Sequence, residues 1–350
     1  MPIAKKFFYI SFLIFIVSLL FLGIYRLSFY KPTEISETKK ETILTNLIDL
    51  PTKESEKISV ISDEAVLSPT LSPDGLSIKY YSQKNGRAYQ IDLDGTNKKE
   101  ISSKDLIGLS SVLWSSDKTK VITKFSNGDG NIQFYYHNYL TNTSSPLKKN
   151  LDEVSWDSTG NKIFYKYYDP KTKERTLNIA NPDGSSWKKL ADLSYKNVAI
   201  APVPQSATVS FWNKADSFSE TTLESIPVIG GDKKTIFKGK FGADYLWNNS
   251  GTNILINHTD KKGGSKMQLA LLNFNGGEYA NLGIPTFISK CVWSKDNKTL
   301  FYSIPGSMQD TTILPNDYNE GKFKTSDTFW KVDIISKQPK RIIELSDLQK

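Results

Sequence analysis

One short pattern limits what this chain can fold into. Leu71-Ser72-Pro73-Asp74-Gly75-Leu76-Ser77-Ile78 is a large apolar residue, a polar turn, and an aliphatic residue seven positions on. The same layout returns at Trp114 to Val121, Trp156 to Ile163, Trp247 to Ile254 and Trp293 to Leu300. A degenerate copy runs from Pro202 to Val209; it lacks the Trp and the Asp-Gly but keeps the offset. The copies are spaced by 42 to 46 residues. A period of roughly 40–50 residues without helical patterning inside it predicts an array of small sheets, each burying its faces against its neighbours.

Within each repeat the chain predicts four short strands. The first ends at the Trp position, as in Leu109 to Trp114. The second is apolar or alternating, as in Ser77 to Ser82 and Asn253 to Asn257. The third is clear in Tyr89 to Leu93 and Leu269 to Phe274. It ends in a turn such as Asp94-Gly95, Asp183-Gly184 or Gly276-Gly277, residues that accept the positive φ of hairpin turns. The fourth strand is short, as in Lys99 to Ser102 and Arg341 to Glu344. Six repeats of four strands predict an all-β, six-bladed propeller over 57–350. Lys57 to Ile61 reads as one further strand, which leaves a seventh blade or an edge strand open. A large aromatic at the end of each inner strand fills the widening gap between blades, and the Asp caps its own turn.

The Ser-Pro-Asp-Gly motif at 72–75, with Tyr89-Gln90-Ile91-Asp92-Leu93-Asp94-Gly95 after it, resembles the repeat of TolB-type propellers. The resemblance covers about residues 57 to 345 and is weakest in the fourth repeat. It implies six blades, an extracytoplasmic location and protein partners. It implies no catalytic residue. Gly-x-Ser-x-Gly is absent and no hydrolase domain follows the repeats, unlike the dipeptidyl peptidase IV-like enzymes that share the motif.

Ahead of the repeats, Phe7 to Tyr25 is free of charge and follows Lys5 and Lys6. About 20 apolar residues span a bilayer as a helix, and a short basic N-terminus stays inside. The expected order is a cytoplasmic 1–6, a transmembrane helix at 7–25, a polar stalk at 26–56, and a propeller outside the cell membrane. A cleaved signal peptide is the alternative, but no small-x-small site follows.

The net charge of +8 comes almost wholly from Lys; the arginines are Arg26, Arg87, Arg175 and Arg341. Base and phosphate reading prefers Arg, so nucleic acid is not expected as a partner. Cys291 is the sole cysteine, and the two histidines, His137 and His258, lie in different repeats, which offers no metal cluster. Cys291 reads as a buried thiol and the histidines as exposed or capping. Asp92-x-Asp94-Gly95-x-Asn97 resembles a Ca²⁺ loop only faintly and reads as a turn. No cofactor motif is present. The longest departure from the repeat is an insert, Ile304 to Thr328, between the second and third strands of the last repeat. Long ordered connections in compact arrays carry function. Met308, Leu314, Asp317, Tyr318 and Phe323 in it, and Glu153, Asp244 and Lys290 on inner strands, are the candidate binding residues. The expected function is a non-enzymatic platform for an envelope protein or an anionic wall polymer. The alternative is a glycan hydrolase or lyase with paired carboxylates in the central channel.

Overall fold

The computed structural model describes residues 58–126, 131–306, 308–343 and 347. The segment expected to cross the membrane, at 7–25, and the stalk lie outside the described residues. Among the described residues no helix is long and apolar enough to cross a membrane.

Six four-stranded antiparallel sheets follow one another along the chain. The first holds β1 (Val66–Leu71), β2 (Ser77–Ser82), β3 (Ala88–Asp92) and β4 (Lys99–Ser102). The second holds β5 (Leu109–Trp114), β6 (Lys120–Ser126), β7 (Ile132–Asn138) and β8 (Thr143–Pro146). The third holds β9 (Leu151–Trp156), β10 (Ile163–Tyr168), β11 (Arg175–Ala180) and β12 (Lys188–Asp192). The fourth holds β13 (Val198–Pro202), β14 (Thr208–Asn213), β15 (Glu220–Pro227) and β16 (Lys234–Phe241). The fifth holds β17 (Asp244–Trp247), β18 (Asn253–Thr259), β19 (Met267–Asn273) and β20 (Ala280–Ile284). The sixth holds β21 (Cys291–Trp293), β22 (Thr299–Gly306), β23 (Ser326–Asp333) and β24 (Pro339–Arg341). This is a six-bladed propeller with almost no helix.

The seven-residue offset is a register. Leu71 pairs with Ile78, Trp114 with Val121, Trp156 with Ile163, Pro202 with Val209, Trp247 with Ile254 and Trp293 with Leu300. The turn between the partners is held by side chains. The hydroxyls of Ser72, Ser115 and Ser294 accept the N–H groups of Ser77, Lys120 and Thr299 at 2.9–3.0 Å. They donate in turn to Asp74, Asp117 and Asp296 at 2.5–2.6 Å. So the Ser caps the next strand and the Asp orients the Ser, a division of labour beyond the self-capping expected of the Asp. Asp157 and Asn248 perform the first task alone in blades three and five. Each of these turns closes on a residue at positive φ: Gly75, Lys118, Gly160, Gly251 and Asn297.

The Trp residues join blades by bonding as well as packing. The indole N–H of Trp114 donates to Ser68 O (2.9 Å), that of Trp156 to Leu113 O (2.8 Å), and that of Trp247 to Ser210 Oγ (2.9 Å). Each acceptor belongs to the preceding blade. Apolar clusters join blades one to two, two to three, three to four, four to five and five to six. Among the described residues no such cluster joins the sixth blade to the first. Leu71 is 51% exposed and Val292 59%. Ile78 is half-buried, whereas its five counterparts, Val121, Ile163, Val209, Ile254 and Leu300, are fully buried.

The extra N-terminal strand expected over Lys57 to Ile61 does not form over its described part. Residues 58–65 carry no strand and instead cover the first blade. Glu64 accepts from Ser82 Oγ (2.6 Å) and Lys98 Nζ (2.7 Å), and the Ile61 backbone lies against Gly95. β24 completes the sixth blade without it.

Candidate functional site

In an up-and-down sheet the first-to-second turns and the third-to-fourth turns leave by one face. The second-to-third connections and the links between blades leave by the other, called here the link face. The long connection of the last blade lies on the link face. Its strands extend further than the sequence suggested: β22 runs to Gly306 and β23 starts at Ser326, so the connection is 307–325 rather than 304–328. One helical turn, α1 (Asn316–Asn319), lies within it.

This connection folds back over its neighbours. Leu314 is fully buried against Met267 and Phe287, with Met308, Tyr318 and Phe323 packed around that core. The Tyr318 ring stacks on Phe287 at 4.2 Å and 10°. The Leu314 N–H donates to Gly264 O (3.0 Å), in the second-to-third connection of blade five. Asn316 reaches blade four: its Nδ2 donates to Asp216 Oδ1 (3.1 Å) and its Oδ1 accepts from Ser217 N (2.8 Å). Asp317 accepts from Ile313 N (2.7 Å) and Lys322 Nζ (2.7 Å), which hold its carboxyl below the usual range. Four of the five candidate residues in the insert thus form its own core, and Asp317 ties its chain together.

Lys290 is expected on an inner strand. It lies instead in a 3₁₀ turn, Ile288–Lys290, that delays β21. The turn brings its ammonium to Asp327, to Thr325 Oγ1 (3.1 Å) and over the Tyr318 ring (5.2 Å). Asp327 also accepts from Ser303 Oγ (2.8 Å). Burial opposes charge on both partners. Burial is the largest single influence, but their mutual bond together with Thr325 and Ser303 on Asp327 and with Tyr318 on Lys290 outweighs it, so the Asp327 carboxyl lies below its ordinary range and the Lys290 ammonium above. Lys290 therefore belongs with the insert.

Glu153 and Asp244 form a second group. Glu153, on β9, pairs with Lys214 at 2.7 Å. Asp244 opens β17 and accepts from Trp212 Nε1 (2.8 Å) and Tyr245 N (3.0 Å). Burial pushes its carboxyl up, and the charges of Lys214 and Glu153 act on it from nearby in opposite senses. Three successive blades meet here. Sequence reasoning missed Lys214 and Trp212, which close this group, and Asp216, which receives the insert. It also missed Lys166, a fully buried lysine bound to Asp152 and Lys196 O. A lysine in the otherwise apolar strand Phe164-Tyr165-Lys166-Tyr167 was the available signal for the last.

His258 is buried rather than exposed, with Nε2 at 2.7 Å from Tyr279 Oη and Nδ1 at 2.8 Å from Thr259 O. Strand β18 continues two residues past its expected end and carries it into that buried position. His137 is half-buried with Nδ1 at 2.8 Å from Ser144 Oγ. Burial pushes the Cys291 thiol up to about 12. Asp94 accepts from Thr96 N (2.9 Å) and Asp92 from Asn97 Nδ2 (2.9 Å), so these carboxylates hold their own turn. Among the described residues no three His, Cys, Asp or Glu side chains gather as metal ligands.

No protein-family profile matches this chain, and no curated protein matches it. Solved structures do. An oligogalacturonate lyase from Vibrio parahaemolyticus superposes with a TM-score of 0.55 at 10% identity, over 80% of either chain. The propeller domain of the Trilobed protease from Pyrococcus furiosus, described as having an open velcro topology, gives 0.52 at 11%, over 80% of this chain and 84% of that one. TolB from Acinetobacter baumannii gives 0.49 at 16%, over 77% of this chain. The likeness is one of fold. The chain spans 61% of the length of that TolB.

Proposed function

We propose that this protein is a membrane-anchored, extracytoplasmic binding platform whose working surface is the link face, with an envelope protein or an anionic wall polymer as its partner. The observation that carries the reading is the 307–325 connection, which is locked across blades six, five and four. A surface fixed before binding loses little entropy on association. Lys-rich charge favours an anionic partner, and the uncharged Phe7 to Tyr25 supports the anchor. The test is in-cell cross-linking of the full-length protein with and without 307–325, with equal expression and melting of both forms. A partner captured only by the intact protein is the expected result. Identical capture by both forms would remove the link face from the proposal. Protease shaving of intact cells tests the topology: the propeller should be cut away while residues 1–6 stay protected.

A second reading is favoured by one observation. Asp244, with a raised carboxyl, stands near Glu153, which pairs with Lys214. Two carboxyls in unlike settings can divide acid and base roles. The fold likeness to oligogalacturonate lyase makes an acidic glycan the substrate to try. Release of new chain ends that disappears in Asp244→Asn and Glu153→Gln would establish it. Equal release by wild type and both variants would end it.

A further inference from the structure

At the junction of blades two and three, away from the insert, three aromatic rings gather and two of them flank a single ammonium. Trp187 precedes β12 in the hairpin turn of blade three, and its ring centroid lies 5.9 Å from that of Tyr167 and 6.4 Å from that of Tyr165. Lys148, in the link from β8 to β9, places its Nζ 3.9 Å from the Trp187 centroid and 4.3 Å from that of Tyr167. Two ring faces therefore fix the position of a cation that a surface lysine would otherwise leave to wander. No carboxylate or carbonyl of the described residues bonds this ammonium. The carboxylates on the same hairpin are engaged elsewhere: Asp183 accepts from Ser185 N and Oγ (2.9 and 2.7 Å), and Asp192 pairs with Lys189 (2.6 Å). Trp187 meanwhile stays 45% exposed.

A large apolar ring left in water beside a fixed, unpaired cation suits a ligand with both an apolar face and an anion. A pyranose bearing a carboxylate has both: its axial C–H face buries against an aromatic ring, and its acid group reaches the ammonium. Tyr279, 41% exposed beside Lys240, differs in being engaged by its own neighbours. Its hydroxyl is bound by His258, its ring lies parallel to Phe237, and Lys240 stands further off, at 5.2 Å.

We infer that Trp187, Tyr167 and Lys148 form a docking site for an acidic polysaccharide, with Trp187 stacking on a sugar ring and Lys148 pairing with its carboxylate. This site is separate from the insert and stands whether or not the insert binds a partner. The test is calorimetric titration of the full-length protein with a short oligomer of galacturonic acid and with its methyl ester, the same rings without charge. Wild type should bind the acid form more tightly than the ester, with the difference shrinking as salt rises. Trp187→Ala should weaken both by about tenfold or more, which is roughly 1.4 kcal/mol. Trp187→Phe should retain most of the binding, so that loss of stacking is separated from loss of fold. Lys148→Met should abolish the preference for the acid while leaving the ester bound. The assignment is overturned if wild type takes up neither oligomer, if Trp187→Ala binds as wild type, or if Lys148→Met still prefers the acid. Binding that vanishes on removal of 307–325 would move the ligand to the insert and overturn it as well.

Discussion

Trp156 and Trp293 occupy the same place in their blades but differ in bonding. Trp156 donates across the blade junction to Leu113 O, whereas the buried Trp293 Nε1 has no partner. A Trp to Phe change at 156 removes ring area and a hydrogen bond across the junction. At 293 it removes ring area and a donor that was already unsatisfied. Trp156→Phe should therefore cost about 1–2 kcal/mol more than Trp293→Phe in urea unfolding. Equal costs would show that the indole bond contributes nothing. Asp327 makes a prediction in pH. Its carboxyl titrates below its unfolded value because Lys290 and Ser303 bind the charged form. Its contribution is then present above the ordinary Asp range, near pH 4, and is lost as pH falls through the depressed value. Asp327→Asn should lose less stability than wild type on acidification below about pH 4. Parallel stability profiles for the two proteins would contradict this.

At the scale of the element, the first-to-second turns decide whether a blade closes. Gly251 has φ +69°, and a Cβ there would meet Pro204 O at 2.3 Å, a backbone atom that cannot swing aside. Gly251→Ala should cost on the order of 2 kcal/mol or more. Lys118 holds the same turn position at φ +56° with a side chain present, so Lys118→Gly should be neutral or stabilising, within about 1 kcal/mol. Opposite signs in melting temperature check the pair. In the insert, Leu314 with its neighbour Pro315 is the buried anchor of a connection that crosses two blades. Leu314→Ala should cost about 2–5 kcal/mol if the cap folds as one piece with the propeller. Limited proteolysis would then cut first within 307–325. A variant as resistant as wild type would mean that the bonds of Asn316 and Asp317 suffice.

For the whole molecule, the junctions are unequal. Five carry apolar cores, and the described residues supply none between blades six and one, where Leu71 and Val292 stay exposed. Local opening is easiest where little apolar area must be exposed. Amide exchange should therefore be fastest in β1–β4 and β21–β24 and slowest in β9–β14. Uniform protection across the six blades would show that the last junction is closed by other means. Leu71→Ser should accordingly cost far less than truncation of any of its buried Trp counterparts.

The pairing within each blade was legible in the chain alone. Partners seven residues apart are joined by a turn whose Ser, Asp and Gly act on their own backbone, so local chemistry sets the register, even in the fourth blade where the motif has decayed. Blade number followed from the period, and the outlying insert from its length. What the sequence could not state is where distant segments meet. Asn316 finds Asp216 one hundred residues away, and Lys214 closes on Glu153 from the next blade. Lys290 leaves its strand because a 3₁₀ turn delays β21, and Trp187 meets Lys148 across a blade junction. Each depends on the rotation of one blade against the next, which is set by the sum of many apolar contacts and leaves no local mark on the residues it brings together. The same holds for the junction of blades six and one. The chain shows Leu71 at one end of the array where Trp293 stands at the other, but only the packed molecule distinguishes a junction with a core from one without.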